Sequence, residues 1–185
     1  KVSELTQNEI DSVATMQTCA VSNAIESLNI RSRTEGFMTP DIKSMFPDMG
    51  SMAGFAVTAV IKASTPPSDN MNYSRVQWVD EILKIPGPRV IVMKDLDHPF
   101  VIGSFWGEVQ SAIHSSLDCV GVVTDGGVRD LDEMQEWGFN AFATTALVSR
   151  ANVHLVEANI PVKIGGVTVN PGDLLLGDKH GVISI

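Results

Sequence analysis

Two stretches of this chain carry residue types that suit one another chemically. One is Gly107-Glu108. The other is Thr124-Asp125-Gly126-Gly127-Val128-Arg129-Asp130, with twenty residues between Glu108 and Arg129. Glu108, Asp125 and Asp130 offer hard oxygen ligands of the kind Mg²⁺ accepts directly or through water. Arg129 offers a planar fork of donors that grips a carboxylate and can face a developing oxyanion. A helix beginning at Gly107 would expose unpaired N–H groups, a natural seat for a carboxylate or phosphate. A divalent cation among carboxylates, beside an arginine and an anion-binding helix end, suits chemistry on a 2-oxo acid. There the cation and the arginine would stabilise the enolate left when a neighbouring C–C bond breaks. Each residue also has a structural reading. Asp130-x-x-Glu133 matches a capping box, Glu108 in a first helical turn is favoured by the helix dipole, and Gly126-Gly127 suits a turn.

The elements around these stretches bring them together. The apolar spacing of Val109, Ala112, Ile113 and Leu117 predicts a helix over 108–118, about 16 Å long at ~1.5 Å per residue. The run VGVVT predicts a buried strand that returns roughly 20 Å at ~3.3 Å per residue. The two lengths nearly cancel, so loop 125–130 comes back beside the start of the helix. That is the carboxyl end of a strand next to a helix N-terminus, where α/β proteins commonly bind ligands.

Upstream, spaced apolar residues predict helices over 7–16, 21–28 and about 74–84, the last stopped by Pro86-Gly87-Pro88. Met38 to Gly54 and Thr65 to Asn72 are loop-like in composition. Phe55 to Ala63 and Arg89 to Lys94 are buried-strand runs. Leu131 to Trp137 predicts a short helix closed by Gly138, and Phe142 to Val148 a strand. Downstream the period changes to two: Ile160 to Val169 forms a hairpin about Gly165-Gly166, and Leu174 to Leu176 and Val182 to Ile185 are further strands. The fold class is therefore α/β, one domain over 1–185, with a mixed sheet and a β-rich C-terminal layer.

Composition narrows the functions. The chain has 185 residues, 44% of them hydrophobic, with 13 Lys plus Arg against 22 Asp plus Glu. It can bury a core, and its net charge of -9 repels phosphate backbones and anionic membranes. Direct nucleic-acid binding and membrane association are not expected. Cys19 and Cys119, far apart and outside any CxxC, are expected to be reduced, mostly buried thiols of a cytoplasmic protein. The chain starts at Lys1 without a charged-then-apolar leader, so trimming of the start is expected.

The stretch GVVTDGGVRDLDEM resembles the RraA-like family, which includes 4-hydroxy-4-methyl-2-oxoglutarate aldolases and the regulator of ribonuclease E activity. The family carries an acidic residue, twenty intervening residues and then Arg-Asp, and Glu108 and Arg129-Asp130 match that spacing. GSFWGEVQ, FAVTAV and PVKIGGVTVNPGDLLLGDKHGV also resemble family blocks. The resemblance implies a swivelling-type β/β/α domain, a homotrimer or hexamer, and a Mg²⁺-dependent (or Mn²⁺-dependent) aldolase and oxaloacetate decarboxylase. It implies Asp130 on the metal and Glu108 assisting through water. It further implies Arg129 on the pyruvate enolate, with Gly107, Glu108, Val109, Gln110 and Arg129 binding the 2-oxo acid. The alternative it carries is a non-catalytic protein-binding regulator of RNA degradation. Glu108 stands where many members have Asp, and Asn23 where the family often has Asp. Family members usually continue beyond the position of Ile185 into a further helix.

The remaining candidates are weaker. His98, His114, His154 and His180 show no metal-ligand spacing. His114 is expected to be exposed in mid-helix and His180 to sit in a turn. Trp78, Trp106 and Trp137 are expected in the core or at subunit contacts. No phosphate-loop or dinucleotide fingerprint occurs.

Overall fold

The runs FAVTAVIKA, RVIVMK and VGVVT lie side by side as parallel strands, and the reason they lack alternation is visible in what covers them. In the computed structural model, which describes residues 5–68 and 73–185, β2 (Met52–Lys62), β3 (Arg89–Asp95) and β4 (Cys119–Thr124) form the middle of an eight-stranded mixed sheet. Phe55, Val57, Ile61, Ile91, Met93 and Val122 face one core cluster, with Trp78, Ile82 and Met134 of the helices that cover that side. Ala56, Val60, Val90, Val92 and Val123 face a second cluster on the other side, with Val162, Ile164 and Val169. Both faces are buried, so both sets of alternating residues must be apolar. Burying one such Val, Ile or Phe contributes about 1.5–3 kcal/mol.

The helices are α1 (Gln7–Val13), α2 (Thr18–Leu28), α3 (Arg75–Leu83), α4 (Glu108–Ser115) and α5 (Leu131–Glu136). The short strand β1 (Lys43–Ser44) lies at one edge, paired with β6 (Asn140–Ala143). β8 (His154–Ala158) and β11 (Leu174–Asp178) both run antiparallel to β2, each along a different part of it, and β12 (Gly181–Ser184) closes the other edge. The hairpin β9 (Val162–Ile164) and β10 (Val167–Val169) turns at Gly165-Gly166, where φ is +53° and +81°. Two consecutive positive φ values are what glycine supplies at no steric cost. The architecture is the mixed α/β one, with its antiparallel strands at the C-terminal end of the chain.

Several boundaries differ from expectation. Helix 7–16 ends at Val13, helix 21–28 begins at Thr18, and helix 108–118 ends at Ser115 before Asp118 reverses the chain at φ +55°. The loop expected over Met38 to Gly54 contains β1, a 3₁₀ turn at Pro47–Met49 and the start of β2. The single strand expected over Phe142 to Val148 is two pieces in different sheets. Thr144 turns its hydroxyl to Gly126 O at 2.8 Å, and β7 (Thr145–Ala146) leaves the main sheet to pair with β5 (Gly127–Val128). Of the loop expected over Thr65 to Asn72, residues 69–72 lie outside the described residues. Cys119 is buried as expected, and burial pushes its thiol up to about 12. Cys19 is exposed on α2, contrary to expectation.

Candidate functional site

Segments 104–107 and 127–130 run alongside each other, and this sets the site. Trp106 and Val128 form a parallel bridge, and Arg129 N–H donates to Trp106 O at 3.2 Å. The buried Ser104 hydroxyl lies 2.7 Å from both Trp106 O and Gly127 O and accepts from Trp106 N–H. The β5–β7 pairing holds the second segment from its other side. Together these contacts place Gly107, where α4 starts, against Arg129-Asp130, where α5 starts.

Asp130 does not cap its own helix. It sits in the left-handed region at φ 51°, ψ 51°, with no side-chain bond to the first turn of α5. That conformation is uncommon outside glycine, and Asp and Asn are among the residues that tolerate it. Its carboxylate reaches across to α4, accepting Glu108 N–H at 3.2 Å, and lies 3.5 Å from Arg129 Nε. The capping-box alternative for Asp130-x-x-Glu133 is thereby overturned: the carboxylate belongs to the neighbouring helix start. Gly107 makes room for it. A Cβ built on Gly107 would lie 2.5 Å from Asp130 Oδ2 and 3.2 Å from Arg129 Cγ. Gly107→Ala is therefore expected to fold with little loss of stability, because the side chains it meets can swing away. The same swing displaces both functional groups and should cost activity at least about tenfold. Turnover measured beside a denaturant curve checks this.

Gly107, Val109, Gln110, Arg129 and Asp130 line one cavity of about 620 Å³. Its volume is in the usual range for small-molecule sites. Glu108 is not on its wall; its side chain is exposed, and it contributes its backbone N–H, held by Asp130. Asp125, grouped above with the candidate oxygen ligands, is not on the wall either. It is buried in an ion pair with Lys94 and accepts Asp95 N–H at 2.8 Å. Asp95 beside it is fully buried, and burial raises its carboxyl above the ordinary value. Among the described residues no three His, Cys, Asp or Glu side chains are grouped to hold a metal.

Two residues that local pattern did not single out also line the cavity: Arg75, the first residue of α3, and Arg150, between β7 and β8. No local pattern could have found them, since tertiary packing alone brings them to Arg129. A capping box between Ser74 and Gln77 does mark where Arg75 sits in its helix.

The buried face of α4 differs from the one its apolar spacing predicts. Val109 is 65% exposed and Ile113 is also exposed, whereas Ser111 and His114 are fully buried. Both polar side chains are satisfied inside. Ser111 Oγ donates to Gly107 O at 2.9 Å. Trp78 Nε1–H donates to His114 Nε2 at 2.9 Å, and His114 Nδ1 lies 2.7 Å from Gln110 O. Tryptophan only donates, so Nε2 is the acceptor, the proton is on Nδ1 and the ring is neutral. Burial pushes this histidine down to about 4. His114 thus ties α3 to the first turn of α4, beside a more apolar chamber of about 310 Å³ that shares Pro67, Arg75, Phe105, Gln110 and Val153 with the first cavity. Trp78 and Trp106 are buried, while Trp137 is about half exposed. His180 sits in the turn before β12, within 3.3 Å of Asp178.

The fold and this pairing across two helix starts define an RraA-type domain. The aldolase/RraA family model, RraA-like, matches residues 18–184, and the chain belongs to this family. It is 31% identical over 80 residues to a putative 4-hydroxy-4-methyl-2-oxoglutarate aldolase of Halalkalibacterium halodurans, covering 43% of this chain and 38% of that one. It is 38% identical over 64 residues to the 4-hydroxy-4-methyl-2-oxoglutarate aldolase of Thermus thermophilus, covering 34% of this chain and 39% of that one. The matched stretches thus span well under half the length of these relatives. Among solved structures, Streptomyces coelicolor RraAS2, described as an unusual member of the RNase ES inhibitor RraA family, superposes with a TM-score of 0.74. Identity is 19%, with 97% of this chain and 86% of that one covered. The RNA-processing inhibitor RraA from Thermus gives 0.66 at 21% identity, with 92% of each chain covered. These structures share the fold. Among the described residues no helix is long and apolar enough to cross a membrane.

Proposed function

We propose that this chain is a divalent-metal-dependent lyase for small 2-oxo acids. Its reactions would be retro-aldol cleavage of 4-hydroxy-4-methyl-2-oxoglutarate and decarboxylation of oxaloacetate. The observation that carries the reading is the Arg129-Asp130 pair facing the first turn of α4 across one cavity. The donor set fits Mg²⁺ or Mn²⁺ better than a metal needing an all-protein cage. Among the described residues Asp130 is the one carboxylate on the cavity wall, and Mg²⁺ is commonly held by one or two carboxylates with several waters. Asp130 would hold the cation, with Glu108 in reach only through water. Bound there, the cation supplies Lewis-acid polarisation of the 2-oxo group.

The chain's own residues do the rest. The first-turn N–H groups of Val109 and Gln110 have no intrahelical acceptor by position and receive the substrate carboxylate. Arg129 orients the 2-oxo acid and faces the oxygen that gains charge. In the aldol cleavage the C4 hydroxyl passes its proton to solvent water, C4 becomes the carbonyl carbon of a second pyruvate, and the electron pair of the breaking C3–C4 bond becomes the pyruvate enolate. In the decarboxylation the same enolate is left as CO₂ departs. Protonation at carbon then gives pyruvate.

Large apolar side chains stand exposed, Phe100 at 79% and Val148 at 93% among them, and suit subunit contacts of a homotrimer or hexamer. A cytoplasmic setting goes with this reading, and both cysteines are free thiols. The deciding experiment is turnover of both acids with and without Mg²⁺, run beside a pull-down with ribonuclease E. Metal-dependent pyruvate formation supports the lyase. Capture of the ribonuclease with no turnover of either acid supports the regulator reading instead.

A further inference from the structure

We infer that Arg75 and Arg150 form a second anion subsite in the cavity that holds Arg129, selecting 2-oxo acids that carry a carboxylate at the far end. The inference deepens the lyase reading and rests on it. The chain has six arginines and a net charge of -9, yet three of the six line this one cavity. Among the described residues the only carboxylate on its wall is Asp130, already engaged with Glu108 N–H and Arg129. Among the described residues neither Arg75 nor Arg150 pairs with a carboxylate, so the wall carries an excess of two positive charges. A cation on Asp130 would enlarge that excess. Like charges grouped around one cavity repel, and a ligand with two carboxylates relieves this more fully than a monoanion.

Both arginines stand on anchored backbone. Arg75 opens α3, fixed by the Ser74–Gln77 capping box and by the Trp78–His114 hydrogen bond to α4. Arg150 sits in a turn locked against the segment that leads into α4. Ser104 N–H donates to Ser149 O at 3.0 Å and Ala151 N–H to Ser149 Oγ at 2.9 Å. A Cβ on Gly103 would meet Arg150 O at 2.4 Å, so this approach needs glycine there. Arg129, on the opposite helix start, takes the reacting end, and Arg75 and Arg150 are left for the distal group. The rival occupant is an apolar tail in the adjoining chamber lined by Trp78, Ile82 and Leu117.

Two probes of the same shape separate these. 2-Oxoglutarate and 5-methyl-2-oxohexanoate have the same chain to C5, which carries two oxygens in the first and two methyl groups in the second. Calorimetric titration of the purified chain in Mg²⁺ should show 2-oxoglutarate binding at least about tenfold tighter, as expected for charge-assisted hydrogen bonds. The Arg75→Gln, Arg150→Gln double variant should bind the two acids alike. Circular dichroism should show it folded, since both side chains are exposed. Equal affinities in the native chain, or a preference surviving in the double variant, overturn the subsite and leave the lyase reading standing if oxaloacetate is still turned over. Binding of neither acid, with no turnover of oxaloacetate, overturns both.

Discussion

Arg129→Lys is expected to lose about 10²–10³ in kcat, roughly 3–4 kcal/mol, although it keeps the charge. An ammonium is a point donor and cannot reproduce the planar fork that holds a carboxylate and a developing enolate oxygen together. Geometry sharpens this. Arg129 Nε lies 3.5 Å from Asp130 Oδ2, leaving the guanidinium end for substrate, while lysine has no donor at the ε position of that fork. Asp130→Asn should behave differently. Asn tolerates the same left-handed backbone and its amide oxygen can still accept Glu108 N–H, so stability should change by less than about 0.5 kcal/mol. What it loses is the charge for the cation, so activity should fall at limiting Mg²⁺ and recover in part at high Mg²⁺. Turnover across a Mg²⁺ series, with a denaturation curve for each variant, checks both. Full activity of Asp130→Asn at limiting Mg²⁺ would leave the pair a structural hinge between two helices.

How far the sequence foretold this arrangement depended on whether a signal was local. The three central strands were readable because apolar runs buried on both faces need no partner to be recognised. The meeting of Gly107-Glu108 with Arg129-Asp130 was readable because one helix and one return strand have fixed rises. β8 was missed because its exposed Glu157 and part-buried Val156 interrupt any alternation; its place comes from pairing with the far half of β2. The α4 face was misread for a related reason. A helix whose buried positions are Ser111 and His114 gives the wrong apolar stripe, and only the partners Gly107 O, Gln110 O and Trp78 make those polar residues acceptable inside. Arg75 and Arg150 could not be joined to Arg129 because the contacts that fix them lie on separate elements.

His114 gives the chain an acid-sensitive link between α3 and α4. Its native value of about 4 lies below the ordinary 6.5, chiefly through burial among Trp78, Phe105 and Trp106, with the Gln110 carbonyl opposing. Since the folded value is depressed, the unfolded chain takes up the proton first. Its contribution is therefore fully present above about pH 6.5 and is lost as pH falls toward 4, by about 3 kcal/mol in all. Asp178 and Asp97, where burial raises the carboxyls but hydrogen bonds outweigh it and hold them low, add their loss mainly below the ordinary carboxylate range. Asp95, raised by burial, works with the opposite sign, gaining as pH falls. Comparing native chain with His114→Gln cancels these shared terms. The variant should be less stable at pH 7, because the Trp78 and Gln110 partners are imperfectly replaced, and its deficit should shrink between pH 6.5 and 4.5, where only the native chain loses the His114 contribution. Guanidinium unfolding at pH 7, 6, 5 and 4.5 measures the difference, and parallel curves would show that this ring does not control the response. In the folded chain Nε2 is protonated only near pH 4, which removes the acceptor for Trp78 Nε1–H, so turnover should fall through this link only as pH approaches 4, well below the pH at which stability begins to decline.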